Sequence, residues 1–486
     1  MSIHARLNPD AESNFEAQKR SSVITSFVIA ILVVVLIVLI LFFILLPTLA
    51  MRSPTIVAYS AGSEDEDPLQ EKRISREVTP KPSAPSSAMA KVITSSVPSP
   101  TAVPVPDFNV VPSSDYGLHD DFGQGWGTGG EGGGGGFGRI PANMRKRCSK
   151  ADRLRRLAQS GGTQQCEDAV IKALRWFKDK QHKNGSWGGS NQVAQTGLVL
   201  LAYLGHCETP LSEEFGGAVT DAIVFLVENS VKQRGRLGSD LRNRHWVYEH
   251  GIATYALAEA YMFCSQLGLP FPNLRESVEG GVQWIIDNQN NSGGWEYGFN
   301  EGGRGGDVSI TAWQMQALKA AHHTRLKFRN MPQSISRALE FIQKCQASNG
   351  GVGYAGPTPV GGGHFTLTGA GTLCFQQHKG TRHKSAKKGM DYIDRHASIN
   401  YKSGPCNLYE HYYVSQAAIN HGGRSWLNYN DKFRDQLLDA QQGDGHFPNP
   451  PNPGPGAQND PVYVTALATL MLEVYYRFLP GTGFGL

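Results

Sequence analysis

Between residues 169 and 180 the apolar side chains Val170, Ala173, Leu174 and Phe177 recur at spacings of three and four. That spacing puts them on one face of a helix, and the segment Glu276–Asn288 repeats the pattern. After each such helix comes a glycine-rich phrase, and then a run of Ala and Leu opened by Thr and a small residue. The openings are Thr196-Gly197, Thr311-Ala312, Thr368-Gly369 and Thr465-Ala466. Two further runs begin near Thr254 and Ser415. Successive starts lie 58, 57, 57, 47 and 50 residues apart. A unit of that length holds two ordinary helices and two loops. The chain is therefore expected to be all-α, with about six helix pairs closed into a ring and the Ala-rich helix of each pair inside.

The phrase between the helices has a fixed frame. Gln181 is followed by Gly185-Ser-Trp187, and Gln289 by Gly293-Gly-Trp295. Gln346-x3-Gly350-Gly-Val352 and Gln441-x3-Gly445-His-Phe447 keep the frame with a weaker last residue. Glycine takes the left-handed conformation that closes helices, so the phrase is expected to end each outer helix.

The region before the repeats follows other rules. Residues 27–46 form an uninterrupted apolar run, and about 20 residues span a bilayer as a helix. Residues 23–46 are expected to be a transmembrane helix that is retained, because a cleaved signal has a shorter apolar core. Lys19 and Arg20, with Arg6 behind them, precede the run, and Arg52 alone follows it closely. The bias predicts residues 1–22 as a cytoplasmic tail and the main domain outside the cytoplasm. Pro, Ser and Gly dominate residues 47–147, which are expected to be a linker with a reach of about 50–60 Å. Residues 148–486 then hold the ring.

The net charge is +4, from 46 basic and 42 acidic residues, with no long basic run, so nucleic-acid binding has no support. The glycine run at 127–136 lacks the Lys-Ser/Thr of a phosphate loop. The seven cysteines include no CxxC pair, and their odd number leaves at least one unpaired within the monomer. Cys264 and Cys374 fall in predicted inner helices and are expected to be buried free thiols.

The Gln-x3-Gly-Ser-Trp phrase resembles the QW motif of triterpene cyclases, and the period resembles their α/α toroid, a fold shared with protein prenyltransferase β subunits. The chain is most similar to bacterial membrane-anchored proteins with prenyltransferase/squalene-oxidase repeats. The matching phrases are Tyr248-Glu-His-Gly-Ile-Ala-Thr254, Gly306-Asp-Val-Ser-Ile-Thr311, Tyr412-Tyr-Val-Ser-Gln416 and Leu472-Glu-Val-Tyr-Tyr-Arg477. The resemblance implies that the Gln and Trp of each phrase tie outer helices together. It also implies chemistry at Asp307-Val-Ser-Ile-Thr-Ala312, the counterpart of the cyclase D-x-D-D-T-A segment. There Ser309 stands where the proton-donating Asp should be, and Ile310 follows it. A serine hydroxyl cannot protonate an alkene. The prenyltransferase zinc site would place Asp307 and His364 on the ion, with Ser309 where the thiolate should be. Cys374-Phe-Gln-Gln377 has the spacing of a thioester but lacks the surrounding motif.

Four residues before each inner-helix Thr or Ser stand Gln192, His250, Asp307, His364, His411 and Pro461. This register predicts that Asp307 and His364 share a site at the mouth of the inner barrel, zinc being the candidate ion, with His250 the best third participant and His411 a further ligand-binding residue. A set of polar residues capping helices would give the same pattern. Tyr255, Trp313, Phe365, Tyr412 and Tyr413 are expected at that level and could line a pocket for an isoprenoid or other lipid. Two functions remain open: a non-catalytic envelope module binding a ligand in the central cavity, and an enzyme acting on an isoprenoid-like substrate.

Overall fold

A computed structural model of the chain describes residues 147–299, 305–356, 365–451, 453 and 460–477. The predicted transmembrane segment 23–46 and the linker up to residue 146 lie outside the described residues. Among the described residues no helix is long and apolar enough to cross a membrane.

The described chain is helical, and its helices alternate between two layers. After α1 (Lys150–Gln159), the outer helices are α2 (Gln164–Lys180), α4 (Gly216–Lys232), α6 (Leu274–Asp287), α8 (Met331–Lys344), α10 (Lys384–His396) and α12 (Gly423–Ala440). The inner helices are α3 (Gln192–Gly205), α5 (Trp246–Leu267), α7 (Val308–His323), α9 (Phe365–Lys379), α11 (Leu408–His421) and α13 (Pro461–Leu472), followed by a short α14 (Val474–Arg477). Each inner helix packs on the next, and α13 packs back on α3. Among the outer helices, α12 likewise meets α2. The expected ring of helix pairs is thus present and closed.

Helix composition follows position. The outer helices bury one stripe, which in α2 includes Val170, Ala173, Leu174 and Phe177. The inner helices are buried nearly all round, and small residues let their backbones approach: a Cβ on Gly197 would already touch Ile252 and Ala253 of α5.

The Gln phrase works as a staple in four units. The Gln181 side-chain amide donates to the Gly185 carbonyl at 3.0 Å and to the Ala218 carbonyl of the next outer helix at 3.0 Å. Gln289 bonds Gly293 and Ser334 in the same way, Gln346 bonds Gly350 and Ser385, and Gln441 bonds Gly445 and Ala169. The last of these joins the sixth unit to the first. The phrase glycine has φ between 85° and 102°, and a Cβ there would sit on a carbonyl oxygen of the next outer helix. The residue ending each phrase gives its N–H to the inner-helix threonine: Trp187 to Thr196, Trp295 to Thr311, Val352 to Thr368 and Phe447 to Thr465, all at 3.0–3.1 Å. Buried indoles tie the turn back to its own outer helix, Trp187 to the Phe177 carbonyl and Trp295 to the Ile285 carbonyl.

Cys264 and Cys374 are buried free thiols, as expected. A pair that the spacing did not suggest, Cys148 and Cys207, forms a disulfide with Cα atoms 4.9 Å apart. It fastens the chain before α1 to the end of α3. Closing a loop of that length stabilises by about 4 kcal/mol in the chain-entropy account.

The staple predicts two graded effects in chemical denaturation. Gln289→Ala removes two hydrogen bonds and should cost about 1–3 kcal/mol. Gly350→Ala meets both a left-handed backbone and the Lys388 carbonyl, so it should cost more than Gln289→Ala. Equal stability of Gly350→Ala and wild type would remove the staple from this account.

Candidate ligand site at the mouth of the ring

The loop before α7 delivers Asp307 to the N-terminal end of the inner ring. Gly305 and Gly306 take φ of 82° and 139°, and the Asp307 N–H donates to the Trp295 carbonyl. Asp307 is the N-cap of α7: its Oδ1 accepts from the Ser309 N–H at 2.8 Å and from the Ser309 hydroxyl at 2.5 Å. Asn407 and Asp460 cap α11 and α13 in the same manner. The equivalent set is therefore Asp307, Asn407 and Asp460, one position before each helix.

The Ser309 oxygen lies 2.7 Å from the Tyr248 hydroxyl, which lies 3.0 Å from that of Tyr297. From across the ring, the Tyr409 hydroxyl donates to the Ser309 carbonyl at 3.2 Å. Tyr354 joins the same turn through its carbonyl, which accepts from the Val308 N–H. All four tyrosines are half-buried. Burial raises the phenol pKa of Tyr248, Tyr354 and Tyr409, and the Asp307 carboxylate pushes in the same direction. These phenols stay protonated at neutral pH and are hydrogen-bond donors.

Below the mouth, Trp313 stacks on Tyr412 at 5.4 Å and meets Tyr413 edge-on at 5.5 Å. The next layer is polar. The Gln377 amide donates to Gln316, and Gln316 donates to Gln416 of α11. At the far end the Arg477 guanidinium reaches Glu259, Glu473 and the Tyr255 hydroxyl, each at 3.4 Å, while Arg147 reaches Glu259 at 3.5 Å. Burial would raise the Glu259 pKa, but Arg477 and Arg147 hold it below the ordinary value. The phenol oxygens of Tyr412 and Tyr413 and the carbonyl oxygen of Gln377 are buried without a hydrogen bond of normal geometry. Each such group costs about 1–3 kcal/mol unless water or a ligand satisfies it.

The predicted register is only partly met. Asp307 is at the mouth, and His364 lies outside the described residues. His250 and His411 serve the loops. His250 accepts from the Leu237 N–H at 3.0 Å through Nδ1 and bonds the Gly281 carbonyl through Nε2 at 3.1 Å, so neither nitrogen is left for an ion. His411 Nδ1 lies 3.1 Å from the Tyr429 hydroxyl of α12. The reason is helix length: α5 and α11 begin earlier relative to their Thr or Ser, so the counted position falls inside the helix. Gln192 is the first residue of α3 and bonds the Gly188 carbonyl. Phe365 opens α9, half-buried 6.0 Å from the His411 ring. Tyr255, Trp313 and Tyr412 lie deeper than the mouth. Among the described residues no three His, Cys, Asp or Glu side chains could hold a metal ion, so the zinc expectation acquires no donor set there.

Of the residues that sequence reasoning missed, Tyr248 lies inside a phrase it singled out, and Tyr409 opens a second copy of the same Tyr-Glu-His triplet. In Tyr248-Glu249-His250 each residue takes a different face of α5. Tyr248 faces the mouth, Glu249 accepts from Ser239 and from the Ala194 N–H of α3, and His250 holds the loop. In Tyr409-Glu410-His411 the tyrosine again meets Ser309, Glu410 accepts from Thr366 of α9 at 2.7 Å, and His411 turns outward. The recurrence of the triplet was the available signal.

No family model matches the chain, and no curated protein does. Solved structures match at low identity. One is the type II terpene cyclase MstE from Scytonema with merosterolic acid A, at 11% identity over 65% of this chain and 97% of that one, TM-score 0.43. Another is the α-1,6-mannanase GH76A of Salegentibacter sp. HEL1_6 with α-1,6-mannotriose, at 10% identity over 64% and 99%, TM-score 0.46. A third is a GH76 α-mannanase of Bacteroides thetaiotaomicron, at 13% identity over 64% and 95%, TM-score 0.45. These values assign no chemistry to this chain.

The buried histidines set a pH dependence. Burial lowers the pKa of both His250 and His411 to about 4. Below pH 6.5 the unfolded chain takes up protons that the folded chain refuses, so stability should fall as pH drops from about 6.5 to about 4. Each histidine contributes roughly 1.4 kcal/mol per pH unit in that window. Urea midpoints at pH 7 and pH 5 measure the slope, and His250→Gln should flatten it. An unchanged slope in that variant would mean that His250 is not buried in the neutral form.

Proposed function

We propose that the chain is a non-catalytic binding module, a helical ring held on a membrane tether outside the cytoplasm and taking a ligand at its tyrosine-lined mouth. The hydrogen-bonded run Asp307–Ser309–Tyr248–Tyr297 carries this reading. Its carboxylate caps a helix and accepts from Ser309, and its phenols are donors that a ligand can meet from the solvent side. The alternative, an enzyme acting on an isoprenoid-like substrate, asks for a strong acid in an apolar lumen. Here Ile310 is buried where a second carboxyl would be, and the lumen carries Gln316, Gln377, Gln416 and the Glu259–Arg477 pair. Those amides and charges bond one another in the ring interior and offer a hydrocarbon little apolar surface to pack on.

Two measurements test the proposal. Purified protein incubated with squalene should give no cyclised product. Turnover that disappears in Asp307→Asn would replace the binding reading with the enzymatic one. The location outside the cytoplasm is supported by the Cys148–Cys207 disulfide, since such bonds persist in oxidising compartments. Protein isolated from membranes under alkylating, non-reducing conditions should have both cysteines blocked from reagent. Finding both alkylated in natively recovered protein would argue for a cytoplasmic ring.

A further inference from the structure

Resting on the binding reading above, we infer that the ligand taken at the mouth is a carbohydrate, a neutral chain of sugar rings. A sugar presents two chemistries at once: hydroxyls that both donate and accept, and a C–H face that packs on an aromatic ring. The mouth offers both. The hydroxyls of Tyr248 and Tyr297 stand 3.0 Å apart, and those of Tyr248 and Tyr409 converge on the same residue, Ser309. The tyrosine rings meet at steep angles, 70° for Tyr248 against Tyr297 and 73° for Tyr409 against Tyr413. The partly exposed rings of Tyr248, Tyr297 and Tyr409 supply the aromatic surface on which an apolar sugar face can pack. Beneath them the Tyr413 phenol oxygen, on a ring 5.2 Å from that of Tyr409, is buried without a hydrogen bond of normal geometry, as is that of Tyr412. A site lined with phenol hydroxyls favours a ligand that brings hydroxyls of its own.

The other chemistries fit less well. A quaternary ammonium group wants ring faces converging around an unspent carboxylate. The carboxylates near this mouth are engaged: Asp307 by Ser309, Glu410 by Thr366, and Glu296 by Asn290 and the Gly305 N–H. What converges on Ser309 is hydroxyl groups. A hydrocarbon would have to strip water from those hydroxyls without replacing the bonds.

The test is calorimetric titration of the full chain in detergent. The probes are hexasaccharides of glucose, mannose, xylose and N-acetylglucosamine, then choline as a cation and farnesol as an apolar chain. At least one hexasaccharide should bind. Tyr248→Phe and Tyr409→Phe should each weaken it about tenfold, equivalent to 1.4 kcal/mol. Tyr476→Phe should bind as wild type; its hydroxyl is buried far from Ser309, beside His206 and Arg153. Circular dichroism would identify a variant that fails to fold, and Tyr297→Phe, on a half-buried ring at the rim, then takes its place. Hexasaccharide binding that these tyrosine variants leave intact would overturn the inference, as would no hexasaccharide binding at millimolar concentration. Choline binding alone that is lost in Tyr248→Phe would overturn the carbohydrate and keep the mouth as the binding site. Farnesol binding alone would overturn both.

Discussion

Four of the six joints between outer helices depend on one side-chain amide. Each phrase glutamine gives its two N–H groups to two carbonyls, one in its own turn and one near the start of the next outer helix. Outer helices touch their outer neighbours over little surface, so a directional bond between them fixes what apolar packing alone would leave loose. The glycine four residues later adds a limit in the other direction. Its missing Cβ is the space into which the neighbouring helix's carbonyl comes. An amide that holds and a glycine that permits together set the spacing between units, and a ring closes only if that spacing is kept at every joint.

Two joints lack the glutamine, and each has a different substitute. Between α4 and α6, Gly235 at φ 86° lies against Gly280, and Asn229 bonds the loop at Gly238 through both its amide and its oxygen. Between α10 and α12 the bonds run backward: Lys432 donates to the Ala397 carbonyl, and Gln436 donates to the Ile399 carbonyl while accepting from the Tyr401 N–H. These are also the two joints whose inner helices carry the Tyr-Glu-His triplet. His250 takes the N–H of Leu237, the work that threonine does for Trp187 and Trp295. His250 and His411 are therefore accounted for by the architecture.

This explains what the sequence could and could not disclose. Period, layer order and ring closure were legible because they rest on apolar spacing and on Gly, Trp and Thr at fixed offsets. The role of Gln181 and Gln289 in joining outer helices came from the resemblance of their phrase to the QW motif. The site was legible only at Asp307 and, one layer down, at Trp313 and Tyr412. Counting back from Thr311 found Asp307 because α7 begins one residue after it. The same count from Thr254 and Ser415 landed inside α5 and α11, since nothing in the local pattern says how many turns a helix adds before its marker. Tyr248 and Tyr409 escaped notice because their meaning is a contact between helices, with the neighbouring α7 for Tyr248 and past α9 for Tyr409. The Cys148–Cys207 pair escaped for a related reason, its partners being 59 positions apart in sequence.

The interior of such a ring is decided by one stripe on each inner helix, and the stripes here change character with depth. On α7 the stripe reads Ser309, Trp313 and Gln316. On α11 it reads Tyr409, Tyr412 and Gln416. On α5 it reads Tyr248, Tyr255 and Glu259. Each begins with a hydroxyl, passes an aromatic layer and ends in an amide or a charge. A lumen built to hold a hydrocarbon would lose nothing by having apolar groups at its floor. This one keeps Glu259 between two arginines, an arrangement with a large desolvation cost and no gain for an apolar guest. The polar floor instead fastens α14 and the chain before α1 to the inner helices through Arg477 and Arg147.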